Sequence, residues 1–239
     1  MPSPKAVLLD VGGIFLLPDH ERILGAFSRA ECSSAPARDL LDSVHYVAAS
    51  HFSTDLDVEG DWVGCWKGYL ERYIEACGVP ADEREEAHRH LDSEFADAAL
   101  WVQEIGGSRD GLRAIAETGV RLGVVSNADG LMASRLDERE IAQVGPGLGV
   151  HLDCVIDSGN VGVMKPDPRI FRMALEAMAI DPEDAWYIGD MPAIDVVGAR
   201  RVGIRPFVMD PLGLHADADY DSVASLSDFA ERVAGALRA

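Results

Sequence analysis

The stretch AVLLDVGG, residues 6–13, decides the fold. Four apolar residues, Ala6 to Leu9, lead into a carboxylate, Asp10, and then into Gly12 and Gly13. A strand apolar at every position is one buried on both faces, as in a parallel sheet, and the glycines that follow predict a tight turn. Asp10 then stands at the carboxyl end of that strand. The same unit recurs downstream: Leu122 to Val125 predicts a second strand, preceded by a helical stretch from Ser108 to Thr118 and followed by Ser126 and Asn127. Further strands are expected at Cys154 to Ile156, Trp186 to Ile188 and Ile204 to Val208, with helices about Pro168 to Met178 and Ala193 to Arg201. Alternating strands and helices predict an α/β fold built on a doubly wound parallel sheet.

The alternation stops between Pro18 and Leu100. There the sequence reads as amphipathic helices near Asp19 to Cys32, Pro36 to Phe52, Glu59 to Cys77 and Ala81 to Phe95. Such a length exceeds any ordinary loop, so residues 1–17 and 101–239 are expected to form a core domain and residues 18–100 an inserted helical cap domain. The insertion starts just after the turn that follows Asp10, from where it could close over that end of the sheet. The glycine-rich run from Val144 to Val150 predicts an exposed loop.

Composition limits the partners. The chain has 239 residues, 48% of them hydrophobic, and a net charge of −20 distributed along its length. Such a charge repels nucleic-acid phosphates and anionic membranes, so neither is an expected partner, and an anionic ligand would need a local positive spot. Cys32, Cys65, Cys77 and Cys154 show no metal-type spacing and read as thiols of the interior. Neither a secretory signal pattern nor a membrane-length apolar run is present, so a cytoplasmic location is expected. The sequence leaves the oligomeric state open.

In doubly wound sheets, ligands bind beyond the carboxyl ends of the strands. The polar residues there are Asp10, Ser126, Asn127, Asp190 and Asp195, with Lys165 from the loop before the Pro168 helix. Converging carboxylates stay ionised together only beside a cation, and hard oxygen donors suit Mg²⁺. Lys165 and the Ser126 hydroxyl could complete a site that neutralises a phosphoryl group. The acids and the lysine have plainer readings in isolation: Asp10 as a turn residue, Lys165 as part of a loop entering a helix with Asp167 as its cap and Pro168 at its first position, Asp190 as part of a strand-to-helix turn, and Asp195 as a solvated helix residue. Their joint occurrence at successive strand ends favours chemistry. Elsewhere the plainer reading prevails. His45, His51, His88 and His90 read as helix residues rather than metal ligands, Trp62, Trp66 and Tyr69 as packing inside the cap, and Lys67 as a solvated lysine.

The strings Val7 to Ile14, Val124 to Asn127, Val161 to Phe171 and Tyr187 to Asp195 resemble, in order and in position on the sheet, the four motifs of the haloacid dehalogenase superfamily. The helical insertion resembles that superfamily's helical cap. The resemblance implies a Mg²⁺-dependent phosphatase acting on a small phosphorylated metabolite. Asp10 would be the nucleophile that forms an aspartyl-phosphate, Ser126 would bind the phosphoryl group, and Lys165 would stabilise nucleophile and transferred charge. Asn127 would help to position substrate. Asp10, the carbonyl of Gly12, Asp190 and Asp195 would hold magnesium, Asp195 either directly or through water.

One position departs from the pattern. Phosphatases of the superfamily carry a second Asp two residues after the nucleophile as general acid and base, and this chain has Gly12 there. Either the leaving group needs little protonation, or a cap residue such as Asp19 or His20 supplies the proton, or activity is impaired. Gly12 also leaves open 2-haloacid dehalogenation, phosphonate hydrolysis with Lys67 as the imine-forming lysine, and a binding protein without turnover.

Overall fold

The computed structural model describes residues 3–34 and 36–239. Ten strands run in chain order: β1 (Ala6–Leu9), β2 (Leu16–Pro18), β3 (Trp101–Glu104), β4 (Arg121–Ser126), β5 (Ala142–Val144), β6 (Val150–Leu152), β7 (Cys154–Asp157), β8 (Ala185–Gly189), β9 (Arg205–Met209) and β10 (Asp221–Val223). The helices are α1 (His20–Arg29), α2 (Leu41–Ala49), α3 (Trp62–Ala76), α4 (Arg84–Phe95), α5 (Ser108–Glu117), α6 (Met132–Glu138), α7 (Ser158–Val161), α8 (Pro168–Met178), α9 (Pro192–Arg200) and α10 (Leu226–Arg238).

Six strands form the main sheet in the order β10-β9-β8-β1-β4-β7, and every pairing in it is parallel. β1 lies in the middle and is buried at all four positions, which is why its sequence is an unbroken apolar run. Val7 and Leu9 face one layer, with Leu112 and Ile115 of α5 and Phe229 and Val233 of α10. Ala6 and Leu8 face the other, with Ile170, Phe171 and Leu175 of α8 and Ala199 of α9. The expected α/β architecture is therefore observed, and α8 keeps its expected bounds because Asp167 caps it and Pro168 starts it.

The segment between β2 and β3 is helical, as expected, with shorter helices than its periodicity suggested. The stretch expected as one helix from Pro36 to Phe52 divides into a 3₁₀ turn, Arg38–Leu40, and α2. Its interior is aliphatic and aromatic, built from Ile23, Phe27, Val44, Phe52, Tyr69, Tyr73, Leu91 and Phe95, and it continues onto Ala193 and Ile194 at the start of α9. The chain leaves for this segment and returns from it through an antiparallel pair, β2 with β3, which aligns Leu16 with Glu104 and Pro18 with Trp101. That pair had no clear signature, since three residues ending in Pro18 are too few to show a period. The Val144 to Val150 run is indeed mostly exposed and connects β5 to β6.

Candidate active site

Three strand ends meet at one point. Asp10 follows β1 and its amide donates to the carbonyl of Ile188 on β8 at 2.9 Å, so the nucleophile candidate is locked into the sheet's own hydrogen-bond pattern. Ser126 is the last residue of β4, Asp190 follows β8, Asp195 lies in the first turn of α9, and Lys165 enters from the loop before α8. All five are buried.

Lys165 stands between the acids. Its Nζ lies 2.7 Å from Asp10 Oδ2 and 2.8 Å from Asp195 Oδ1, and it donates to the Tyr187 hydroxyl at 2.8 Å. Asp195 already accepts four hydrogen bonds: Lys165 Nζ and the Tyr187 hydroxyl on Oδ1, and the amides of Asp190 and Met191 on Oδ2. Oxygens of Asp10, Asp190 and Asp195 lie within 4.8 Å of one another, the one such cluster among the described residues able to hold a metal ion. Three carboxylates thus face one lysine in a buried place.

The consequence is electrostatic. Burial pushes the Asp10 carboxyl up to about 7; Lys165 opposes the shift, and the charges of Asp195 and Asp190 add to it. Asp190 is raised as well, mainly by burial, against the pull of its hydrogen bond to His45. Lys165 is held above its ordinary value because the two carboxylates outweigh its own burial. A hard divalent cation would relieve this excess of negative charge, and the all-oxygen donor set fits Mg²⁺.

Two glycines make the arrangement possible. Gly13 has φ +66° and comes so close to Asp190 that a Cβ there would lie 2.4 Å from its Cγ. Any side chain would therefore both strain the turn and displace the carboxylate. At Gly12 the neighbour is Trp101, whose indole carbon Cζ3 would lie 3.3 Å from an added Cβ. The place where the superfamily's second carboxylate would stand is bordered by an indole ring.

The cavity above Asp10 measures about 400 Å³ and is bounded by Ser126, Lys165, Trp62, Trp66, Phe95 and Trp101 among others. Tyr69 is fully buried inside the helical segment, as expected, and Trp62 and Trp66 pack against that interior but are half-buried and also line this cavity. Helical spacing put the three on one ridge of α3; which part of the ridge meets a cavity depends on tertiary docking. Asn127 borders the cavity too, yet its side chain is committed elsewhere: Nδ2 donates to the Lys165 carbonyl at 3.1 Å and Oδ1 accepts from the Lys165 amide at 2.7 Å. It clamps the loop that delivers the lysine.

Several expectations for the helical segment need correction. Neither Asp19 nor His20 lines the cavity. Asp19 caps α1, accepting from the amides of Glu21 and Arg22, and His20 is buried with Nε2 2.9 Å from Asp42. Lys67 is solvated beside Glu71 at 3.7 Å, as its plainer reading had it, so the lysine that phosphonate cleavage was expected to use stands outside the cavity. His45 was read as a mere helix residue, yet it is fully buried with Nε2 2.8 Å from Asp190 Oδ2 and Nδ1 3.0 Å from the Tyr69 hydroxyl. Next to it the Tyr46 hydroxyl donates to the carbonyl of Gly13 at 2.8 Å. The one available signal was a polar His-Tyr pair set among apolar residues of α2.

Comparisons with known proteins bear on the family and the fold. A profile of haloacid dehalogenase-like hydrolases matches residues 4–203. A phosphoserine phosphatase of Thermus thermophilus is 52% identical over 222 residues, covering 88% of this chain and 83% of that protein. A glyceraldehyde 3-phosphate phosphatase of Pyrococcus abyssi is 32% identical over 106 residues, which is 44% of this chain and 42% of that one. Among solved structures, a Had-superfamily hydrolase from Ehrlichia chaffeensis superimposes with a TM-score of 0.61 over 99% of both chains at 17% identity, a likeness of fold alone.

Proposed function

The chain belongs to the haloacid dehalogenase-like hydrolase family, and from that premise we propose that it is a Mg²⁺-dependent phosphatase that hydrolyses a small phosphorylated metabolite. The observation that carries this reading is the buried trio Asp10, Asp190 and Asp195 with Lys165 as its single counter-charge.

Asp10, Asp190 and the Gly12 carbonyl would hold Mg²⁺. Asp195, with both oxygens already engaged, is the outer partner that fixes Lys165 and the turn carrying Asp190. When bound, the ion supplies positive charge against which phosphoryl oxygens and the Asp10 carboxylate can coexist. The chain's own residues do the rest. The Ser126 hydroxyl and Lys165 ammonium bind and orient the phosphoryl oxygens, and one oxygen of Asp10 attacks phosphorus in line with the departing ester oxygen. The P–O bond to the leaving group breaks as the Asp10–P bond forms, and water then cleaves the aspartyl-phosphate to return the carboxylate and release phosphate. Asn127 holds Lys165 in register from behind. The helical segment acts as a cap whose Trp62 and Trp66 meet the leaving group.

Gly12 provides no proton for that leaving group, and the alternatives proposed from sequence, Asp19 and His20, stand outside the cavity. Solvent water is then the proton source, so esters of weakly basic alcohols should react best. Phosphoserine, named for the Thermus relative, is the first natural candidate to try. The test is Mg²⁺-dependent phosphate release from an aryl phosphate and from phosphoserine. Asp10→Asn should abolish both; undiminished release in that variant would remove the nucleophile and the reading with it. A second reading, 2-haloacid dehalogenation, is favoured by Gly12 alone, and halide release that persists in chelator would support it.

A further inference from the structure

We propose that His45 is the positioning residue of Asp190: it fixes which carboxylate oxygen is offered to the cation and makes cation affinity depend on the seating of the helical segment on the core. The inference rests on the phosphatase reading, in which Asp190 is a metal ligand, and adds to it a residue that none of the four sequence motifs contains.

The geometry is a relay of three side chains from two parts of the molecule. Tyr69 of α3 meets His45 Nδ1 at 3.0 Å, and His45 Nε2 meets Asp190 Oδ2 at 2.8 Å, with His45 and Tyr69 fully buried. A carboxylate that holds a cation must be ionised, so Oδ2 can only accept and Nε2 must carry the hydrogen. Nδ1 meets the Tyr69 hydroxyl, which can donate or accept and so partners the ring from the other side. His45, held in place by Tyr69, therefore occupies Oδ2, and Oδ1 of Asp190 is the oxygen left for the ion. An outer partner of this kind fixes the orientation of a ligand before the cation arrives.

His45 also connects the metal ligand to the cavity wall. Its ring stands edge-to-face with Trp101, 5.4 Å between centroids, and Trp101 is the residue that borders Gly12. Tyr46 holds the carbonyl of Gly13 from the same helix. One helix of the cap thus contacts the turns after both β1 and β8. Cation binding and seating of this helix share the same contacts, so by linkage each favours the other.

The test is Mg²⁺ titration by calorimetry, with the Mg²⁺-induced rise in melting temperature as a second readout. His45→Leu removes the donor and should weaken Mg²⁺ binding about 10- to 100-fold, the usual effect of losing such a partner. His45→Gln, which can still donate to Asp190, should recover most of the affinity. Tyr69→Phe removes the hydroxyl that holds the ring and should fall between the two. Recovery by Gln but not by Leu is an outcome that general loosening of the cap would not produce. Equal Mg²⁺ affinity in His45→Leu and the parent overturns the proposal, as does a His45→Gln variant that is folded but no better than Leu. If His45→Leu does not fold, the Gln and Phe variants decide alone. A parent protein that takes up no Mg²⁺ would instead defeat the phosphatase reading, and this inference would fall with it.

Discussion

Restoring the missing carboxylate by Gly12→Asp should help far less than its chemistry suggests, and the reason is Trp101. The backbone at Gly12 is not in the left-handed region, so Asp is admissible there, but its Cβ would meet indole carbons of Trp101 at 3.3, 3.4 and 3.7 Å. The first is slightly tight and the others are ordinary van der Waals contacts, so the Cβ fits against the ring and the remainder of the carboxyl group must share space with it. A well-placed acid contributes about 10²–10⁴ in rate, equivalent to about 3–5 kcal/mol of barrier. Gly12→Asp alone should recover less than about tenfold of it. Combining it with Trp101→Leu, which keeps an apolar residue opposite Pro18 in the β2–β3 pair, should release the rest. The assay is kcat measured for phosphoserine beside an aryl phosphate. The gain should be concentrated on the alkyl ester, whose leaving oxygen needs the proton more. A single Gly12→Asp variant that gains a hundredfold would refute the argument that the indole occupies the acid's place, and so would an active double variant with no gain on the alkyl ester.

Other expectations follow from the charge balance. Lys165→Met leaves Asp10 and Asp195 buried without their ion pair, a change that costs about 3–5 kcal/mol and lowers the melting temperature by on the order of 10 °C in chelator. Calorimetry finding an unchanged melting temperature would contradict that ion-pair role. The pH dependence of stability has a definite sign in metal-free protein. Asp10 is raised from 3.8 to about 7, so the folded chain holds a proton that the unfolded chain has released, and stability falls as pH rises through that window. Denaturant titrations between pH 4 and pH 7 in chelator should show the decline, Asp10→Asn should lessen it, and saturating Mg²⁺ should remove it.

The parts of the site legible in sequence are those placed by local structure. Asp10, Ser126 and Asp190 stand at or next to strand ends, and a buried parallel strand announces itself as an apolar run closed by a polar residue. Lys165 could be placed because Asp167 and Pro168 mark the start of α8 two residues later. The rest depends on how α2, α3 and β3 dock, which periodicity does not encode. His45 and Tyr69 are 24 residues apart, and His45 and Asp190 are separated by 145, so no spacing rule could join them. Asn127 shows the limit in the other direction: its position was read correctly, while its side chain proves to hold the Lys165 backbone. Trp101 was invisible as a determinant because its importance lies in standing beside a residue that has no side chain.

The ionisation of Asp10 also separates the two enzyme readings that Gly12 leaves open. Displacing halide requires an ionised nucleophile, and without a cation burial and the neighbouring acids keep Asp10 protonated up to about 7. Lys165 alone does not offset the trio, since Asp195 shares it. A metal-independent dehalogenase built on this site would therefore hold much of its nucleophile in the inactive form at neutral pH. Its activity in chelator would climb as pH passes 7, whereas a Mg²⁺-dependent phosphatase would keep Asp10 ionised well below that point and lose activity when the ion is withdrawn. Rate–pH profiles for halide release from a 2-haloacid and for phosphate release, each with Mg²⁺ and with chelator, tell these apart. Flat, chelator-resistant halide release below pH 6 would refute the charge argument, because it would require Asp10 to ionise beside Asp190 and Asp195 with no cation other than Lys165.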